Sequence, residues 1–221
     1  MNDYYNNSFK NIFDKRIFMK VLDYVINSYN IYKQKLLEAF ILGVAIYVIG
    51  LIGLIPVVGW YLYAKLFPQM VVWYYNKLNI KVDPKYDVAF KSIIIPLSIA
   101  MIGVLIIIFG LILYFFVIKS TEFIEISIIL GIILAIVGFI LYILLLYTLF
   151  GSIIGKVDKF KIYAKKSIYL FLISLIPGFI VSILSIIVSF IPFIGLLLDI
   201  ILSIFYEPYI IVFYAIAIEN M

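Results

Sequence analysis

The chain has 221 residues, of which 67% are hydrophobic and 13% charged, and its mean hydropathy is +1.23. Ordinary globular proteins hold roughly 45–50% apolar and about 25% charged residues, so this balance excludes a soluble fold and leaves the bilayer as solvent. The absence of cysteine and histidine excludes disulfide frameworks, thiolate nucleophiles, Cys/His zinc sites, Ser-His-Asp triads and imidazole proton relays. A formal charge of +5 sits in short basic clusters beside apolar runs, which fits contact with anionic membrane lipids and not with nucleic acid.

The first eight residues lack the basic region and cleavage site of a signal peptide, so no processing is expected. Residues 1–35 read as a cytoplasmic amphipathic segment. Arg16, Lys20, Asp23, Asn27 and Asn30 step by four, three, four and three residues into one polar stripe, while Ile17, Val21, Leu22, Tyr24, Val25, Ile26 and Tyr29 cover the rest of the circumference. The pattern predicts an interfacial helix at headgroup level, either a plain anchor or a lipid-sensing or partner-docking element.

Residues 36–218 read as a single transmembrane domain with spans at about 36–55, 57–75, 92–117, 126–154, 168–191 and 195–218. The second and sixth carry polar residues, and charge placement supports them. Lysine and arginine concentrate before residue 36, in 76–91 and in 155–167, with Lys119 alone in 118–125. If the rich segments are cytoplasmic, an even number of crossings separates the first two, so 57–75 must span. Both termini then lie in the cytoplasm, and the address is the cytoplasmic membrane. In lipid the backbone must satisfy its own hydrogen bonds, so the fold class is all-α, a polytopic helical membrane protein of about six spans in three hairpins.

The outer hairpins share the turn pattern Ile-Pro-x-(Val/Ile)-Gly at 55–59 and 191–195, which suggests a duplication about an axis along the membrane normal. Glycine in these turns is expected to take backbone angles that other residues avoid. Gly43 and Gly50, Gly103 and Gly110, and Gly131 and Gly138 are each seven residues apart, nearly two turns, so each pair lies on one helix face. Such faces suit close packing within the chain or, alternatively, a homo-oligomer.

Three ionisable residues fall within spans: Lys65, Asp199 and Glu207. At 1.5 Å per residue Lys65 and Asp199 lie about 9 and 6 Å from the external turns and Glu207 about 18 Å, near the midplane. Lys65 and Asp199 are at matching depth for a pair. Pro68 and Pro208 each free a carbonyl four residues earlier, at Ala64 and Ile204, so the sequence suggests a polar site between spans two and six with Tyr61, Tyr63, Tyr206 and Tyr209 as donors. The alternative is a buried structural pair with kinks. Pro96 is expected in the first turn of the third span, and Trp60 and Trp73 as interfacial anchors.

Enzyme signatures fail. Gly151-Ser-Ile-Ile-Gly-Lys-Val157 is one residue short of a P-loop and ends in Val, so no nucleotide, cofactor or metal is implied. Leu54 to Gly59 followed by a lysine-bearing helix, then Asp83-Pro84-Lys85-Tyr86-Asp87 before the next apolar run, resembles the opening of an uncharacterised group of archaeal and bacterial multi-pass membrane proteins, a domain of unknown function. The resemblance covers residues 40–100 and implies a membrane address without an activity. The expectation is thus a multi-pass membrane protein, not an enzyme, with no assignable activity. The alternatives are a small-solute or ion transporter or channel and a lipid-interacting scaffold or assembly factor.

Overall fold

The computed structural model describes residues 15–118, 121–189 and 194–221. All regular elements among them are helical. They are α1 (Lys15–Tyr32), a tight 3-10 turn (Lys33–Lys35), α2 (Leu36–Ile52), α3 (Val58–Lys77), α4 (Tyr86–Leu113) with a wide π turn after it (Tyr114–Ile118), α5 (Thr121–Ile154), α6 (Ala164–Ser189) and α7 (Ile194–Glu219). The second Ile-Pro turn, Lys119 and residues 1–14 lie outside the described residues.

Five helical stretches are long and apolar enough to cross a membrane: Met19–Ile52, Tyr86–Phe116, Thr121–Ile154, Ala164–Ser189 and Gly195–Glu219. Helix α3 is not among them. Its 20 residues would cover about 30 Å, but Lys65, Gln69, Asn76 and Lys77 lower its hydropathy.

Consecutive helices pack on one another from α2 to α7, and α7 returns to α2, while α1 lies on α7. The α4–α5 pair is held along its length by small residues. Added Cβ atoms would lie 2.5 Å from the Gly131 carbonyl at Gly103, and 2.7 Å from the Ala100 nitrogen and the Pro96 carbonyl at Gly138. Gly110 lies against Ser127 of the facing helix. With four glycines in one seam, the two backbones approach more closely than any larger side chain permits.

One end of the bundle is packed solid. Every residue of α5 from Leu145 to Ile154 is buried, and against them lie Phe213 and Ala217 of α7, Val71 and Tyr75 of α3, Ala89 of α4 and Leu170 of α6. The lysine-bearing loops 78–85 and 155–163 meet at this end. The Lys85 N–H donates to the Ser152 carbonyl at 2.8 Å, Gly155 (φ +89) lies against Asp83, and Thr148 Oγ1 donates to the Lys161 carbonyl at 2.6 Å. The Lys85 ammonium donates to Asp83 at 2.9 Å, and this bond with the carboxylate's charge holds its pKa above the ordinary lysine value.

Three expectations change here. Helix α4 starts at Tyr86, well before the apolar run, so Pro96 lies inside it and not in its first turn. The loop residues Asp83 to Lys85 set that start, and Pro96 presses against Gly138. Trp60 is 5% exposed, with its indole N–H buried and unpartnered, so it is a core ring and not an interfacial anchor; Trp73 is exposed. In the turn before α3 the positive φ falls on Val57 (63°, ψ −65°), where a γ-turn closes from the Val58 N–H to the Pro56 carbonyl at 2.7 Å. Gly59 is helical instead, and a Cβ on it would collide with the Ile52 carbonyl. Glycine is needed there for closeness and not for its backbone angles.

Candidate functional site

Helix α3 turns a row of side chains outward at four-residue steps: Tyr61, Lys65, Gln69 and Trp73. The Lys65 ammonium lies 5.7 Å from the centre of the Tyr61 ring. Among the described residues no ion pair joins it to Asp199. Asp199 instead faces α6, where its Oδ1 accepts a hydrogen bond from Ser185 Oγ at 2.6 Å. The sequence cannot give this outcome, because matching depth says nothing about helix rotation.

Pro68 and Pro208 are both buried within continuous helices. The carbonyl that Pro208 frees, at Ile204, is covered by Gly43 of α2, close enough that a Cβ on Gly43 would collide with it. The carbonyl thus faces a Cα–H at a helix contact and is not open to a ligand. Phe40 and Phe205 flank the same crossing with centroids 5.8 Å apart.

Glu207 has the richest surroundings of the three ionisable residues. Its side chain is exposed on α7, and its charge is felt by Tyr63 of α3, Tyr142 of α5, and Tyr206 and Tyr214 of α7. Two of the four expected donors, Tyr63 and Tyr206, are among these. Tyr61 turns to Lys65 and Phe90, and Tyr209 reaches the Val25 carbonyl of α1 at 3.5 Å. Tyr142 and Tyr214 join from positions that sequence reasoning did not single out.

A groove of about 1060 Å³ runs along α6 and reaches Tyr206 of α7. Its floor is a row of small and hydroxyl residues, Ser174, Gly178, Ser182 and Ser185, at steps of four, four and three, so they share one helix face. Tyr206 closes it from α7, with its hydroxyl over Gly178, and Phe171 and Phe179 supply apolar wall. Asp199, seven residues before Tyr206 on α7, does not line the groove itself but accepts the hydrogen bond of Ser185, which does. Tyr214 engages Ser174 at its inner end. A separate cavity of about 300 Å³ is lined by Tyr63, Pro96, Gly138 and Tyr142. The serine row was visible in the sequence as the spacing of Ser174, Ser182 and Ser185 about Gly178, but only the structure shows that it faces an opening.

No family model, no curated protein and no solved structure matches the chain. Its chemistry must be taken from its own residues. Among the described residues no three His, Cys, Asp or Glu side chains gather as a metal-binding group. The groove is lined by the Tyr206 phenol and three serine hydroxyls, one of them bonded to the Asp199 carboxylate, with neither lysine nor arginine lining it. Such a set accepts protons and hydrogen bonds, and ionised it attracts cations.

Proposed function

We propose that this chain is a multi-pass protein of the cytoplasmic membrane that moves a cation, or a small solute coupled to a proton, past Glu207, and that it is not an enzyme. In this reading α2 to α7 form six spans in three hairpins, α3 being the least apolar of them, and both termini are cytoplasmic. The meeting of loops 78–85 and 155–163 at one end supports this, because the positive-inside rule requires those lysine-bearing segments on one side. The membership suggested by residues 40–100 is compatible with it.

The observation that carries the transport reading is a carboxyl within a span, Glu207, directly following Tyr206, whose ring closes a groove lined by serine hydroxyls and by neither lysine nor arginine. A central charge costs at least about 2.5–3.5 kcal/mol on insertion scales and is usually turned to a functional use. Among the described residues no ion pair fixes Glu207, which leaves its carboxyl to take and release a proton or a cation. In proteoliposomes, proton movement read by trapped pyranine should be lost in Glu207→Gln. Undiminished movement in a variant that purifies as a folded, monodisperse protein would end this reading.

The lipid-interacting scaffold is the second reading, favoured by α1. Val21, Tyr24, Ser28 and Tyr32 of that helix are buried, and Lys20, Asp23, Asn27 and Asn30 are exposed, but so are Met19, Leu22, Ile26 and Tyr29. That last row is an apolar ridge beside a polar one, as a helix lying at the lipid headgroups requires. An environment-sensitive dye at Ile26→Cys in nanodiscs would report an apolar setting, and the same dye at Asn27→Cys a wet one. Two wet signals would remove the anchor. Gly50, with nothing within 4 Å of its Cβ position, is the glycine left free for contact with a second copy.

A further inference from the structure

We infer that the groove between α6 and α7 binds a lipophilic organic cation, with Asp199 as the charge that selects it. The inference deepens the transport reading by naming a substrate class, and rests on that reading for turnover but not for binding.

Three features of the groove specify the ligand's chemistry. Its volume, about 1060 Å³, lies at the upper end of the usual range of small-molecule sites and suits a bulky organic body, not a hydrated metal ion. Its walls are aliphatic and aromatic, with Phe171, Phe179 and Tyr206 presenting rings to the interior. An apolar body gains from burial there, and a positive centre gains further from the ring faces. The third feature is charge. Asp199 is held by one oxygen, Oδ1, on the hydroxyl of Ser185, and among the described residues no lysine or arginine neutralises it.

A carboxylate anchored by one oxygen keeps lone pairs on the other for a ligand. Glu207, eight residues further along α7, is not among the residues that line the groove. Lys65, the nearest candidate to oppose Asp199 in sequence terms, faces out of α3 over Tyr61. An anionic amphiphile of the same size would meet the like charge of Asp199, and a neutral one would leave that charge uncompensated at membrane depth. A metal cation would want more oxygen ligands than one carboxylate and scattered hydroxyls supply.

The test uses the full-length protein in non-ionic detergent and two probes of one shape and opposite charge, tetraphenylphosphonium and tetraphenylborate. Wild type should bind tetraphenylphosphonium saturably, and tetraphenylborate should not displace it. Asp199→Asn should weaken binding about tenfold or more, and Ser185→Ala, which frees the carboxylate to turn away, by a smaller factor. Displacement by tetraphenylborate as effective as by unlabelled cation would show that burial alone drives binding, and would overturn the inference without any variant. Unaltered affinity in folded Asp199→Asn would overturn it equally. Binding as expected in a protein that gives no proton movement would remove the transport reading and leave the site.

Discussion

Within helix α5, residues 145–154 are buried on every side, whereas residues 121–144 are buried only at Ser127, Gly131 and Gly138. Past Glu122 and Glu125 at the start of the helix, the buried stretch is the more polar one. It contains Tyr147, Thr148, Gly151 and Ser152, while the exposed stretch is mostly isoleucine, leucine and valine. A protein in water sorts its residues the other way. Lipid tails are as apolar as leucine, so nothing drives an isoleucine inward, and the residues that gather are those that pack closely or need a hydrogen-bond partner. Tyr147 and Thr148 meet those needs, the first through a backbone N–H to Ser167 at 3.1 Å and a hydroxyl accepting from Lys166 at 3.0 Å, the second through the Lys161 carbonyl. Helix α6 repeats the contrast, with Ser167, Leu170, Ile173, Ser174 and Pro177 buried and exposure rising beyond them along the groove.

Substitutions can break this contrast or sharpen it. The largest effect is expected from Phe213→Ala in the packed end, where the ring is wholly buried: a loss of about 3–5 kcal/mol, read as the unfolding midpoint in mixed micelles. Gly43→Ala should cost about 1–3 kcal/mol, because its methyl must push α2 off the Ile204 carbonyl, and the same assay should find Gly50→Ala near neutral. Val57→Gly should stabilise by about 1 kcal/mol through relief of the positive φ at a β-branched residue, seen as a raised Tm. Ile136→Ala, on the exposed part of α5, should stay within about 0.5 kcal/mol of wild type in the same micelles. Comparable losses at Phe213 and Ile136 would remove the distinction between the two parts.

Much of the fold could be read in the sequence because lipid makes hydropathy nearly sufficient for locating helices. The apolar run at 126–154 ends where α5 ends, and the expected 57–75 lies close to α3. The seven-residue glycine spacing placed Gly103, Gly110, Gly131 and Gly138 on single faces, and the structure sets those faces against each other. What could not be read was rotation about each helix axis. Depth along the chain put Lys65 and Asp199 at one level, but which way each points depends on the packing of α3 and α7 against neighbours distant in sequence. Pro208 was legible as a source of a free carbonyl; that Gly43 would cover it was not. Tyr142 and Tyr214 passed unnoticed because a tyrosine in an aromatic-rich chain carries no signal until its neighbours are known.

The account stands on the groove along α6 being open to a ligand while the opposite end is packed solid, and the natural absence of cysteine makes a direct test available. Ser182→Cys, in the groove, and Ser152→Cys, buried in the packed end, should be compared in proteoliposomes with a membrane-impermeant thiol reagent. The account predicts ready modification at Ser182→Cys, slowed by tetraphenylphosphonium, and none at Ser152→Cys. A Ser182→Cys protein as inert as Ser152→Cys would contradict it.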